Sequence, residues 1–285
     1  MTKVKTPIKE TVVARATASS SFESAFEHIR DCRRRGERSR AFPHIIAAPI
    51  HYEPNYAYPL LVWLHDSDQN EREVCDVAAR ISTQNYVAAA PRGVARIKRR
   101  VVRSRVAGTL VDEKSWNEAY CDWPETEAGV SEAEDLVFAS IDEAIGKFNI
   151  NPRRIFLLGR GVGGTMAMRV GLRNPREFAG VVSIDGGFPS LDNIPFLNWQ
   201  TARDLPILMT TGGNRSTNMS PVAAKRLRLF HTAGMTVAIR QYNETSKGRK
   251  ATEARMNKIF SDVNVWVMER ALNPQAPISE LFGRS

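Results

Sequence analysis

The sequence has few cysteines and no long apolar run. Its three cysteines, Cys32, Cys75 and Cys121, lie far apart in a chain of 285 residues. This spacing matches neither a metal site nor a disulfide framework, so free thiols in a reducing compartment are expected. No segment reaches the apolar length of a membrane span, and residues 1–21 are too polar for a signal peptide. We therefore expect a cytoplasmic protein without a bound metal or cofactor.

Acidic residues are too few to balance the basic ones. The chain has 40 Lys and Arg residues against 31 Asp and Glu residues, a formal net charge of +9. One basic cluster lies in residues 33–40, and the second consists of Arg96, Lys98, Arg99, Arg100, Arg103 and Arg105. Such clusters can bind polyanions weakly. They lack the aromatic residues, interleaved along the chain, of a single-strand binding surface, so a solvated basic face is the simpler interpretation.

Short apolar runs that alternate with amphipathic segments predict an α/β fold. The arrangement is typical of a doubly wound, mostly parallel sheet flanked by helices. Residues 1–40 are predicted to form an arm with a short basic helix, near Phe22, and residues 41–272 the main domain. A long insert at about 94–124 and a tail at 273–285 complete the predicted organisation.

Two helix starts and the long insert give more local predictions. Asp68 with Glu71, and Ser131 with Glu134, have the spacing of a capping box. In the insert only residues 101–111 indicate extended structure. Insertions of this length are typical of lids, binding loops and disordered inserts. We expect an exposed loop or an extended hairpin near the mouth of the cleft.

The glycine-rich stretch Gly159–Gly163 is the most informative part of the chain. It matches the nucleophile-elbow pattern G-x-S-x-G except at the serine, where Gly161 stands. Gly159, Gly161 and Gly164 also spell G-x-G-x-x-G, and Asp185 follows at the distance expected of a ribose-binding acid. A plain tight turn between strand and helix is the third interpretation. The elbow is favoured, and the other two stay open.

Segments on both sides of this stretch resemble the α/β-hydrolase superfamily, in its carboxylesterase/phospholipase branch with dienelactone hydrolase relatives. The resembling segments are Pro59–His65, Arg153–Gly159, Gly163–Met168, Pro175–Ser183 and Leu205–Gly212. Their order and spacing agree with the family from about Tyr58 to Glu269. The resemblance implies an α/β-hydrolase fold and the hydrolysis of carboxylic esters.

The residues that the family's chemistry needs are not at the matching positions. Such hydrolases use a serine, an acid and a histidine in that chain order. The resemblance places the nucleophile at Gly161, the acid at Arg215 and the histidine near Ser246. It therefore implies a degenerate catalytic triad. The oxyanion loop, usually His-Gly, is His65-Asp66, and a carboxylate there would oppose a developing oxyanion.

Three functions remain at this point. The first is a catalytically silent binding or assembly module of the hydrolase fold, which the lack of triad residues at the matching positions favours. The second is an active hydrolase with an unconventional site, and the third is a dinucleotide-binding protein that uses the G-x-G-x-x-G loop. The candidate cleft for a small polar ligand is formed by His65, Asp66, Arg160, Asp185 and Arg215.

Overall fold

The computed structural model describes residues 13–15, 43–67, 69–106, 109–189, 199–212, 221–242 and 248–272. The strands are β1 (Val13–Arg15), β2 (His44–Ala48), β3 (Tyr58–Leu64), β4 (Val87–Pro91), β5 (Val94–Val106), β6 (Thr109–Asp122), β7 (Ile150–Arg160), β8 (Gly180–Ile184), β9 (Ile207–Gly212) and β10 (Val237–Tyr242). The helices are α1 (Glu73–Ile81), α2 (Glu127–Lys147), α3 (Val162–Arg173), α4 (Trp199–Ala202), α5 (Pro221–Thr232) and α6 (Arg249–Leu272). The predicted helix near Phe22 and the tail at 273–285 lie outside the described residues.

Eight of these strands form one sheet in the order β1-β2-β4-β3-β7-β8-β9-β10. Every pair from β4 to β10 is parallel, and β2 runs antiparallel to β4. Apolar strands such as β3 are buried along their whole length because helices cover both faces of the sheet. The predicted α/β class is confirmed, and β7 is a central parallel strand that ends at the Gly159–Gly163 turn. The short strand β1 lies within the predicted arm and pairs in parallel with β2.

Two apolar cores lie on opposite faces of the sheet. One includes Val137 of α2, Met166 of α3 and Phe230 of α5. The other includes Val77 of α1 and Phe260 of α6. No helix in the part of the chain that the structure describes is both long and apolar enough to cross a membrane.

Both predicted capping boxes are wrong. Helix α2 begins at Glu127, four residues before Ser131, and the hydroxyl of Thr126 caps it by accepting a hydrogen bond from Gly129 N at 3.2 Å. Glu134 instead pairs with Arg173 at 3.1 Å.

The predicted box of Asp68 with Glu71 fails in the same way. Helix α1 begins at Glu73 without a side-chain cap, and Asp68 lies outside the described residues. The carboxylate of Glu71 is buried and accepts a hydrogen bond from Arg92 Nε at 2.7 Å. In both cases an ion pair to a distant arginine takes the carboxylate that the local pattern assigned to the helix end.

The long insert is an extended hairpin, which is one of the two expected forms. Among the described strands, β5 and β6 pair only with each other, as a two-stranded antiparallel sheet running from the Val94–Asp122 pair to the Val106–Thr109 pair. The sequence indicated extended structure only at residues 101–111. The strand residues outside this range were not predicted, because densely charged strands lack the apolar alternation of a strand that packs on a core.

Candidate active site

The chain turns from strand to helix within one residue at Gly161. Strand β7 ends at Arg160, helix α3 begins at Val162, and Gly161 between them has φ 54° and ψ −121°. Its N–H donates to Ile184 O at 2.9 Å, and its carbonyl accepts from Thr165 N at 3.1 Å. A sharp strand-to-helix turn at the carboxyl end of a central strand is the geometry of a nucleophile elbow.

The carboxylate of Asp66 fills the space that a side chain at position 161 would need. A Cβ atom added to Gly161 would lie 2.0 Å from Asp66 Oδ1 and 2.4 Å from Asp66 Cγ. Asp66 Oδ1 accepts hydrogen bonds from Ser67 N at 2.8 Å and from Val162 N at 3.2 Å. The carboxylate is therefore held in place from two sides, against the turn.

The Asp66 carboxylate also uses a donor that hydrolases need for catalysis. In an α/β-hydrolase, the backbone N–H of the residue after the nucleophile forms half of the oxyanion hole. Here that residue is Val162, and its N–H donates to Asp66. A carboxylate at a helix N-terminus is electrostatically favourable, so this arrangement stabilises the turn. Asp66 thus takes the place of an oxyanion.

Arg160 joins this carboxylate to a second acidic residue. Its Nε lies 3.9 Å from Asp66 Oδ2, and one of its terminal nitrogens forms an ion pair with Glu73 Oε1 at 2.9 Å. Burial raises the pKa of Glu73, and the charge of Arg160 opposes that rise. The other oxygen of Glu73 accepts from Trp63 Nε1 at 3.1 Å. Arg160 is therefore committed to a structural network beside Gly161.

His65 lies in the interior, not on the wall of a cleft. Its side chain is fully buried. Its Nε2 accepts from Gly93 N at 2.9 Å, and its Nδ1 lies 2.8 Å from Asp66 O, which only a protonated Nδ1 can satisfy. Burial lowers the pKa of His65, so the imidazole is neutral with both nitrogens in use. It cannot take a proton from a nucleophile in this arrangement.

The buried His65 predicts a loss of stability at mildly acidic pH. Since its folded pKa lies below the usual 6.5, the unfolded chain binds the proton more readily. The contribution of the neutral imidazole to the free energy of unfolding is fully present above pH 6.5. It is lost as the pH falls from 6.5 through the folded pKa, and the free energy of unfolding then decreases by at most about 1.4 kcal/mol per pH unit.

Urea unfolding at pH 5–8 should show this slope in the wild type and a weaker one in His65→Gln, which keeps an acceptor for Gly93 N–H. The exposed His51→Gln is the matched control and should keep the wild-type slope. Equal slopes for the wild type and His65→Gln would contradict this account.

The hairpin begins and ends against the loop that carries His65 and Asp66. At its start Gly93 donates to the His65 ring, and just after its end Trp123 Nε1 donates to His65 O at 2.9 Å. Ser67 Oγ donates to Asp122 Oδ1 at 3.2 Å. The loop after β3 is therefore fixed by both ends of the hairpin.

Asp185 occupies the position that a dinucleotide fold would give to its acid. It follows β8, the neighbour of β7, with φ 54°. Its carboxylate forms an ion pair with Arg255 of α6, whose Nε also donates to Tyr242 O at 3.3 Å. With Asp185 paired and Val162 N–H bound to Asp66, both groups that would hold a dinucleotide are engaged.

The structure brings Asp66 and Arg160 together at Gly161. Of the other predicted site residues, His65 is buried in the interior and Asp185 is paired with Arg255. Arg215 and Ser246 lie outside the described residues. Sequence reasoning missed Glu73 and Arg255, because no local pattern connects either residue to partners that are distant in the chain. Among the described residues, no cluster of His, Cys, Asp and Glu could hold a metal ion.

The sequence model of the phospholipase/carboxylesterase family matches residues 114–264, more than half of the chain. The protein belongs to this family. NocK of Nocardia uniformis subsp. tsuyamanensis, which is named as an esterase, is 38% identical over 56 residues. That match covers 20% of this chain and 16% of NocK, so it says nothing about most of either protein.

Two solved structures share the fold of this family member. SOBER1 of Arabidopsis thaliana superposes with a TM-score of 0.52 at 19% identity, over 75% of this chain and all of SOBER1. The Bacillus cereus carboxylesterase gives 0.54 at 13% identity, over 81% of this chain and 96% of that enzyme. At these identities the likeness shows the α/β-hydrolase fold alone.

Proposed function

We propose that this family member is a catalytically silent binding or assembly module. The observation that carries the proposal is the Asp66 carboxylate, which fills the side-chain space at Gly161 and accepts the Val162 N–H. A substrate carbonyl brought to this turn would meet a negative charge where hydrolysis requires a free donor. The glycine itself offers no attacking atom.

An active hydrolase with an unconventional site is the second candidate, and it needs another nucleophile. Thr165 Oγ1 accepts from Gly187 N at 2.9 Å and donates to Gly187 O at 3.2 Å, so it is engaged in fixing a loop. Burial raises the pKa of the Cys121 thiol, which disfavours the reactive thiolate. The imidazole of His65 has no nitrogen free to act as a base. These contacts favour the silent module.

The purified protein should therefore not react with a fluorophosphonate probe. Hydrolysis of p-nitrophenyl butyrate should equal the buffer blank, because the nucleophile and the oxyanion donor act as a unit with the other catalytic groups. The Bacillus cereus carboxylesterase, assayed in parallel, controls for the probe and the substrate.

Turnover above the blank that Thr165→Val or Cys121→Ala abolishes would overturn the proposal in favour of the unconventional hydrolase. Activity that survives both substitutions is assigned by probe labelling: a labelled band at the mass of this chain would also overturn the proposal, and a labelled band of another mass would identify a contaminating esterase. The cytoplasmic location stays a prediction.

A further inference from the structure

The strand pairing of the β5–β6 hairpin brings together residues that are far apart in the sequence. From Val94–Asp122 to Ser104–Asp112 the register is regular, and a bulge follows only near the tip. Directly paired residues lie on the same face of a hairpin, as do residues two apart along one strand. The register therefore assigns every position in this part of the hairpin to one of two faces.

One face combines basic and aromatic positions. Arg96 is paired with Tyr120, and Arg100 with Trp116. Lys98, between the two arginines, is paired with Glu118. The next pair on this face is Val102 with Lys114. We define the basic–aromatic face as the positions Arg96, Lys98, Arg100, Lys114, Trp116, Glu118 and Tyr120.

The opposite face differs in composition. Its pairs include Ile97 with Ala119, Arg99 with Asn117, Val101 with Ser115 and Arg103 with Glu113. It carries no aromatic residue between Ala95 and Arg103 or at the positions paired with them. The sequence alone could not reveal this difference, because the aromatic residues lie on β6 and the arginines and Lys98 on β5.

We propose that the basic–aromatic face binds single-stranded nucleic acid. Proteins that bind single strands combine cations along the phosphate backbone with aromatic rings on which the bases stack, and arginine adds cation–π attraction. The face supplies Trp116 and Tyr120, about 14 Å apart along β6, among four basic positions. Glu118 is the one acidic position in the segment from 96 to 102 and its partners.

The composition of the face favours nucleic acid over an acidic membrane surface. An amphipathic element that lies in a membrane surface has a basic polar side and a separate apolar side. In this hairpin the aromatic positions alternate with basic positions of one face, and the opposite face also has the basic positions Arg99 and Arg103. The proposal does not depend on whether the elbow is catalytically silent.

A charge reversal on each face gives the sharpest test. Anisotropy of a labelled oligodeoxythymidylate is titrated with the full chain at several salt concentrations. Glu118→Lys removes the acidic position of the basic–aromatic face and should tighten binding and steepen the plot of log affinity against log salt by about 0.7 per added phosphate contact. Glu113→Lys, on the opposite face, makes the same change in net charge and should have little effect.

The aromatic contribution is tested separately. Trp116→Ala should weaken binding about tenfold or more, whereas Trp116→Phe should recover most of it, because stacking requires only a ring. A gain of affinity in Glu118→Lys that Glu113→Lys does not show cannot arise from net charge or from general unfolding of the hairpin, so this comparison still tests the proposal if Trp116→Ala disturbs the strand pairing.

Several results would overturn the proposal. Equal gains in Glu118→Lys and Glu113→Lys would show that net charge alone attracts the oligonucleotide. Double-stranded DNA bound as tightly as the single strand, with no effect of Trp116→Ala, would indicate a purely electrostatic contact. Binding to phosphatidylserine vesicles without binding to the oligonucleotide would assign the face to a membrane surface instead.

Discussion

Replacing Gly161 by serine is expected to destabilise the fold by about 2–4 kcal/mol without creating an esterase. A serine at φ 54° is strained, and its Cβ would meet the carboxylate of Asp66 at 2.0 Å. Moving that carboxylate away breaks its hydrogen bond to Val162 N. Urea unfolding followed by circular dichroism and tryptophan fluorescence measures the loss.

A double-mutant cycle separates the collision from the backbone strain. In an Asp66→Gly background the same serine should cost about 1–3 kcal/mol less, since only the strain remains. Gly146→Ser is the matched control, because a Cβ at this helical position meets nothing within 4 Å, and it should leave stability unchanged or slightly higher. An identical cost of Gly161→Ser in both backgrounds would show that Asp66 does not occupy the side-chain space.

Truncating Trp123 should have an effect of similar size, about 3–5 kcal/mol. The indole is 2% exposed, packs in the core beside His65 with ring centroids 5.1 Å apart, and donates to the carbonyl of that residue. Trp123→Ala leaves a cavity and an unpaired carbonyl under the end of the hairpin. Unfolding measurements give the overall loss, and limited proteolysis reports whether β5 and β6 open first.

Trp123→Phe provides the comparison for this change. It keeps most of the ring and removes the hydrogen bond to His65 O, so a loss of about 1–2 kcal/mol is expected. Truncation of Leu272, which is 66% exposed, should stay within about 0.5 kcal/mol. A loss below about 1 kcal/mol in Trp123→Ala would contradict the role of the indole in fixing the hairpin to the loop after β3.

The fold was predictable because its strands and helices carry strong local patterns. The apolar run that contains Phe156 and Leu157 predicts a strand buried on both faces. The spacing of Val74, Val77 and Ile81 predicts a helix with one buried side. The turn at Gly161 was predictable in place because glycines stand where a strand must turn sharply into a helix. Local signals therefore sufficed for the architecture.

The candidate site was predictable only in part, because its decisive contacts join distant segments. The missing serine is visible in the sequence, yet nothing local indicates that Asp66 occupies its space. The pairing of Asp185 with Arg255 likewise depends on how α6 packs beside β8. Charge spacing misplaced both helix starts, since Glu71 and Glu134 had stronger partners elsewhere in the fold.

The register of the hairpin was unpredictable for a different reason. Strands rich in charge on both faces fit several pairings almost equally well, and a shift of one residue exchanges the two faces. The sequence shows that Arg96 and Arg100 lie on the same face of an extended strand, but it does not show that they pair with Tyr120 and Trp116. It therefore indicates a basic segment without indicating which aromatic residues lie beside it.

The contact between Asp66 and Gly161 constrains the order in which the two positions can change. A chain with serine at 161 and aspartate at 66 must displace the carboxylate, so the two residues disfavour each other across the contact between the loop after β3 and the turn at Gly161. A path that places a side chain at position 161 is therefore less destabilising if position 66 changes first. That first step has its own cost, because Asp66 stabilises the beginning of α3. The two substitutions therefore differ in cost according to their order, and the single change at position 161 carries the larger one.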